Sequence, residues 1–316
     1  MDHSGVADAM RHHLDRAKSV YRSRGLMELA RSAVTYVPIE LNNLLFRLRY
    51  GSGTAVMEED WDTLVLLDAC RYDMFADAVE FDGELNSRIS LGSTSEEFLD
   101  RNFSDGQFHD TVYVNANVYL PHLGLDQDGT FHAVIDLLDE WDPELEIAHP
   151  ETVTDAARRA HAEFPNKRVI VHYMQPHIPF IGEYGWELQD RIGRRSVWKD
   201  LRDGKKRVSM DEIWKAYREN LDFVLEYVEE LLAEISGKAV ISADHGNMVG
   251  ERHGPIPTKK MYGHPWGVYA PQLVKVPWFE IESDDRRTVT TDPPVAVRKQ
   301  SEELIQERLR SLGYTE

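Results

Sequence analysis

The chain has a single cysteine, Cys70, among its 316 residues. An intrachain disulfide is therefore excluded, and so is a cysteine-based zinc cluster. Any metal must be held by Asp, Glu, His or hydroxyl groups. Lysine is also scarce: 11 of the 36 basic residues are Lys and the rest are Arg. Against 55 Asp and Glu, the formal net charge is −19. A surface of that sign repels phosphate backbones and anionic membranes, which argues against a nucleic-acid partner. An acidic, lysine-poor surface is expected of a halophilic protein, because concentrated salt screens the self-repulsion. Long apolar runs are missing too, and none approaches the roughly 20 residues a spanning helix needs. The first residues, Met1-Asp2-His3-Ser4-Gly5, lack the apolar core of a signal peptide. The expectation is a cytoplasmic protein without a transmembrane segment.

Hydrophobic residues make up 42% of the chain, ordinary for a globular protein, and the length suffices for one large domain. Three parts are expected: a helical N-terminal extension over 1–55, a catalytic-type domain over 56–285, and a helical tail over 286–316. In the extension, Leu26, Leu29, Ala30 and Ala33 keep helical spacing, and Leu41 to Tyr50 mixes leucines with Arg47 and Arg49. The preferred reading of 33–50 is a helix packed on the domain; a peripheral membrane contact is the alternative.

Between them, strands and helices alternate. Strands are expected at 63–67, 111–116, 168–174, 239–243 and from about 274, with helices around 131–139, 153–162 and 297–311. A long helix over about 210–235 opens on Ser209 with Glu212 three residues on, a capping box. Its stripe of Ile213, Ala216, Tyr217, Leu221, Val224, Val228 and Leu231 reads as core. A Gly-, His- and Pro-rich loop is expected over 246–267. This alternation predicts an α/β fold, a mostly parallel central sheet with helices on both faces.

Three of the apolar runs end in ligand-type side chains. Leu64-Val65-Leu66-Leu67 runs into Asp68, Ala239-Val240-Ile241-Ser242-Ala243 into Asp244-His245-Gly246, and Val169-Ile170-Val171 into His172, with His177 five residues later. In an open α/β sheet, ligands bind beyond the carboxyl ends of the strands. Asp244 and His245 supply an oxygen and an imidazole together, and Gly246 lets the backbone turn there.

These segments resemble a known family. Asp68-Ala69-Cys70-Arg71-Tyr72-Asp73 looks like the Asp-x-x-Arg-x-Asp opening motif of the sulfatase-like branch of the alkaline phosphatase superfamily. His172-Tyr173-Met174-Gln175-Pro176-His177-Ile178-Pro179-Phe180 is similar to its His-Tyr-x-x-Pro-His-x-Pro-Tyr segment. Asp244-His245-Gly246-Asn247-Met248-Val249-Gly250-Glu251 resembles its Asp-His-Gly-Glu-x-x-Gly-Glu signature, and Tyr262-Gly263-His264-Pro265 its late histidine. The order is the family's, and the resemblance spans roughly 60 to 282.

What the resemblance implies is an alkaline-phosphatase-like fold and a divalent metal held by Asp68, Asp244 and His245 with a side-chain nucleophile. It also implies a second metal or phosphate-binding position at His177 and His264. The segment Gly92-Ser93-Thr94-Ser95-Glu96-Glu97-Phe98 looks like the nucleophile loop of the lipoteichoic-acid-synthase group. On that likeness Thr94 is the expected nucleophile and metal ligand, with Ser93 as runner-up and substrate contact. A helix start with Ser93 or Thr94 as N-cap is the structural alternative. His253 is a further candidate substrate contact, ranked below His264; Arg71 is expected to pair with Asp73 or a neighbouring carboxylate.

The implied activity is hydrolysis or transfer of a phosphate ester through a covalent threonine intermediate, on a small-molecule or a glycan- or lipid-linked substrate. Zn or Mn fits the donor set best, with Mg or Ca as alternatives. The Cys/Ser-x-Pro-x-Arg pattern that is converted to formylglycine is absent at Cys70 and at 93–97. A sulfate-ester hydrolase would then use an unmodified hydroxyl. A partner of carbohydrate or lipid pathways that keeps the fold without turnover is the non-enzymatic reading.

Overall fold

The computed structural model describes residues 35–127, 129–193, 197–204, 208–295 and 300–312, with the Lys199 side chain left aside. The expectations for Leu26, Leu29, Ala30 and Ala33 fall outside these residues. Helix α1 (35–50) precedes strand β1 (Thr63–Leu67), α2 (Tyr72–Ala78), β2 (Glu84–Ile89), α3 (Ser95–Phe103), β3 (Phe108–Asn115), α4 (Tyr119–His122) and β4 (Phe131–Asp136). Then follow α5 (Pro150–Glu163), β5 (Arg168–Tyr173), α6 (Glu183–Ile192), α7 (Val197–Arg202), α8 (Met210–Glu234) and β6 (Ala239–Ser242). The chain continues through β7 (Met248–Arg252), β8 (Lys260–Gly263), α9 (Pro271–Val274), β9 (Lys275–Ile281) and α10 (Glu302–Ser311).

Seven strands form one sheet in the order β2-β9-β6-β1-β5-β3-β4. From β6 to β4 every pairing is parallel; β9 alone runs against its neighbours β6 and β2. The fold is α/β with a mostly parallel sheet. In the central strand β1, alternate side chains enter opposite cores, as the two-residue period of a strand requires. Val65 and Leu67 join the cluster of Val153, Ala157, Tyr217, Leu221 and Val224 from α5 and α8. Leu64 and Leu66 meet Phe98, Leu99 and Phe103 of α3 on the other face. A third cluster joins Ile39 and Phe46 of α1 to Met248, Val268, Tyr269 and Leu273. No described helix is long and apolar enough to cross a membrane.

Two local expectations are corrected. Residues 131–136 form strand β4, not a helix: Phe131, Val134 and Ile135 favour extended backbone, and β3 lies alongside to take their hydrogen bonds. Inside the expected loop 246–267, β7 and β8 pair as an antiparallel ladder. The capping box is present, with Ser209 and Glu212 satisfying each other's backbone amides. Beyond residue 285, Arg286 binds Asp60 and Asp62, Lys167 binds Asp292, and Ile305 and Leu309 of α10 enter the main core.

Candidate metal centre

Asp68 follows β1, Asp244 and His245 lie just beyond β6, and β5 carries His172. The three strands are neighbours and parallel, so their carboxyl ends open on one crevice. Asp68, Asp244 and His245 are buried, and one ligand atom from each lies within 4.8 Å of the other two. Glycine is required at the turn: a Cβ on Gly246 would sit 2.2 Å from the carbonyl oxygen of Gln272.

Each carboxylate is anchored through one oxygen and leaves the other to the crevice. Asp68 Oδ2 accepts the Asn117 amide at 2.8 Å and the Ser95 hydroxyl at 3.4 Å, whereas Oδ1 has no hydrogen-bond partner. Asp244 Oδ1 accepts the backbone amides of Ala69 and His245 at 3.0 and 2.7 Å, whereas Oδ2 has none. The two remaining oxygens lie 3.6 and 3.5 Å from His245 Nε2. His245 Nδ1 donates to the Gly246 carbonyl at 2.7 Å, so a neutral ring presents its lone pair at Nε2. Two buried carboxylate oxygens and an imidazole lone pair facing one point fit a divalent cation, since burying them without one is costly.

The electrostatics agree with that need. Burial, then the neighbouring Asp244, push the Asp68 carboxyl well above the usual carboxylate range. Burial pushes Asp244 up as well, but His245, His172, Ser95 and the Ala69 amide together hold it below its ordinary value. Two carboxylates in one dry site cannot both ionise easily without a compensating positive charge.

The hydroxyl that reaches this centre is that of Ser95, the first residue of α3, 3.3 Å from His245 Nε2. Thr94 takes its alternative role. It is the N-cap of α3, in extended conformation, and its hydroxyl accepts the Glu97 amide at 3.2 Å. The Ser93 hydroxyl lies beside other groups, 2.6 Å from Glu97 Oε2 and 3.1 Å from the Pro265 carbonyl oxygen, either of which can accept its proton. The structure thus brings the Ser95 hydroxyl, and not the one expected at Thr94 or Ser93, within reach of Asp68 and His245.

His177 and His264 come together as expected, Nε2 to Nε2 at 3.0 Å, and the His264 ring centre lies 4.7 Å from that of His245. His177 Nδ1 donates to the Ile178 carbonyl at 2.7 Å, so in a neutral pair His264 Nε2–H donates to His177 Nε2. Burial and then His245 pull His177 down to about 4, and burial with the same neighbours takes His264 well below its ordinary value. Both rings are neutral at physiological pH. His253 is not brought to the centre: its recorded partners are Asn43 on α1 and Thr258. Arg71 is structural, clamped by Asp73 and Glu251 at 2.6 and 2.5 Å, donating to the Asn247 carbonyl and stacked on Trp214.

Sequence reasoning missed Asn117, which orients Asp68, and the role of His172. The latter lies 3.8 Å from Asp244 Oδ2 through Nε2 and 2.9 Å from the Tyr113 hydroxyl through Nδ1. For Ser95 a signal existed: with Glu97 as the third helical residue, Thr94 is the N-cap and the next hydroxyl stands in the first turn. Nothing in the sequence marks Asn117.

No protein-family model and no curated protein matches the chain. Among solved structures it is similar to the soluble domain of lipooligosaccharide phosphoethanolamine transferase A from Neisseria meningitidis, at 10% identity and a TM-score of 0.46, over 70% of this chain and 76% of that one. It is similar to a protein in the alkaline phosphatase superfamily from Vibrio parahaemolyticus, at 10% identity and 0.42, over 79% and 65%. It is also similar to the lipoteichoic acid synthase LtaP from Listeria monocytogenes, at 11% identity and 0.40, over 87% and 78%. At such identity the likeness concerns the fold.

Proposed function

We propose that the chain is a metal-dependent enzyme that hydrolyses or transfers a phosphate ester, with the Ser95 hydroxyl as nucleophile. One observation carries this reading: Asp68 Oδ1 and Asp244 Oδ2, buried and without partners, converge on His245 Nε2 beside that hydroxyl. Asp68, Asp244, His245 and Ser95 would hold a divalent ion, Zn or Mn suiting the mixed oxygen and imidazole set best, with Mg and Ca as alternatives. When bound, such an ion neutralises charge on ester oxygens and lowers the pKa of a coordinated hydroxyl, help that a serine needs near neutral pH.

The chain's own groups supply the rest. Ser95 stands at the N-terminus of α3, whose dipole favours a phosphoryl anion. Its Oγ forms the bond to phosphorus as the alcohol of the ester departs, and water or a second alcohol then releases the phosphoryl group from the serine. His177 and His264, neutral by burial, offer uncharged contacts to the transferring group: His264 can turn its Nε2–H from His177 to an ester oxygen. Asn117 and the Ala69 amide keep the two carboxylates oriented while this happens. The loop Ser93-Thr94-Ser95-Glu96-Glu97 lacks the Pro and Arg of the formylglycine pattern, which favours an unmodified hydroxyl and a phosphate over a sulfate ester.

Acid quenching during single turnover of a slow aryl phosphate, on protein of measured metal content, tests the reading. One phosphoryl group on Ser95 is expected. A label at Thr94 or His177, or none at all during turnover, would overturn the serine mechanism. A purified protein that neither contains nor takes up a divalent ion would overturn the metal assignment.

A further inference from the structure

The exposed large hydrophobic side chains are not scattered. Among the described residues six of nine lie on α1, and a seventh, Trp266, lies on the loop that α1 holds. Helix α1 has two apolar faces. Ile39 and Phe46 pack inward, and Asn42 and Asn43 on the same side bond the backbone of Ile256, Gly267 and Tyr269. Projected at about 100° per residue, Val37, Leu41, Leu44, Leu45 and Leu48 fall on the opposite face within an arc of about 100°. They are between 42% and 75% exposed. Arg49 borders that arc on one side, over the ring of Tyr50, and Glu40 and then Arg47 on the other, with Arg47 over the ring of Tyr269. In a chain of net charge −19, residues 35–50 carry two arginines and one glutamate.

A contiguous apolar patch of this kind marks an interaction surface. A second copy of the chain is a poor occupant. The five side chains expose on the order of 500 Å², short of the roughly 800 Å² per partner of a standard interface. A lipid surface fits better. An apolar helical stripe with arginines at its borders lies in the plane of a bilayer interface. We propose that the outer face of α1 seats this protein on a lipid surface. Asn43 bonds Gly267 and Tyr269, just beyond His264 in the same loop, so the seat also fixes how the crevice stands relative to that surface. The docking does not depend on the chemistry assigned to the crevice.

Flotation of the full chain with vesicles in concentrated salt is the test. With phosphatidylcholine vesicles the protein is expected to float. Leu44→Glu with Leu48→Glu should cut the bound fraction at least tenfold while the melting temperature stays in place. Leu48→Gln serves as the milder variant if the double change disturbs folding. A photo-crosslinking residue at position 48 should mark lipid. Failure to float on both phosphatidylcholine and phosphatidylglycerol-containing vesicles would overturn the proposal, as would flotation unchanged by the substitutions. Crosslinks to a second copy or to residues 1–34 of the same chain would overturn it in favour of those occupants.

Discussion

Ser95 holds its hydroxyl 3.3 Å from His245 Nε2, while the hydroxyl one residue earlier, on Thr94, accepts a backbone amide. Adjacent hydroxyls therefore have different partners, and under the proposed mechanism, chemical at 95 and structural at 94, substitution can tell them apart.

Ser95→Ala is expected to lower kcat by three orders of magnitude or more, with a melting temperature close to that of the parent. Thr94→Ala should do the reverse, costing about 0.5–2 kcal/mol of stability through the lost N-cap with a mild kinetic effect. Paired turnover and denaturation measurements decide it. A stably folded but inactive Thr94→Ala protein would show that the threonine acts in the chemistry.

Uptake of a divalent ion should expel a proton. The Asp68 carboxyl, raised by burial and then by Asp244, must be ionised to become a ligand, so metal uptake competes with its proton. Affinity should therefore weaken as the pH is lowered. Calorimetric titration in two buffers of different ionisation enthalpy reads the released proton directly; equal heats in both would contradict the raised Asp68.

Acid should weaken the fold through His161, away from the centre. Burial, then Arg287, pull its imidazole down to about 4 from an ordinary 6.5. The unfolded chain thus takes up the proton first, and stability falls as the pH drops from about 6.5 towards 4. For this group alone the loss reaches about 3 kcal/mol. In His161→Gln the denaturation midpoint should depend less steeply on pH across that window; an unchanged slope would refute the assignment.

Gly246→Ala should be damaging although the change adds one methyl group. Its Cβ would meet the Gln272 carbonyl at 2.2 Å, so the turn carrying Asp244 and His245 must shift. A loss of about 1–3 kcal/mol is expected from such overpacking, together with weaker metal retention, measured by melting and by metal analysis after dialysis.

Much of the architecture was legible because it is written in local periodicity. The runs at 63–67, 168–173 and 239–242 are continuous and apolar because both faces of a parallel strand are covered. The long helix showed itself through its stripe and its Ser209–Glu212 box. Strand β2, Glu-Leu-Asn-Ser-Arg-Ile, was not foreseen: as an edge strand with half-buried side chains it needs no hydrophobic pattern, only β9 to pair with. Strand β4 was misread for a related reason, since a short apolar run suits helix or strand until a neighbour supplies the hydrogen bonds.

By itself, the sequence marked Asp68 and the Asp244–His245 pair, because they follow apolar runs whose ends open on the edge of a sheet, and the resemblance of its motifs added His177 and His264. Only the tertiary structure decided which hydroxyl joins them. Thr94 and Ser95 are chemically alike and adjacent; the first turn of α3 takes one as its cap and leaves the other facing Asp68 and His245. Asn117 and the outward stripe of α1 were decided in the same way. One acts across 49 residues of chain on Asp68, and the other has meaning only once the opposite face of its helix is packed. Contacts between distant segments leave no mark in local periodicity.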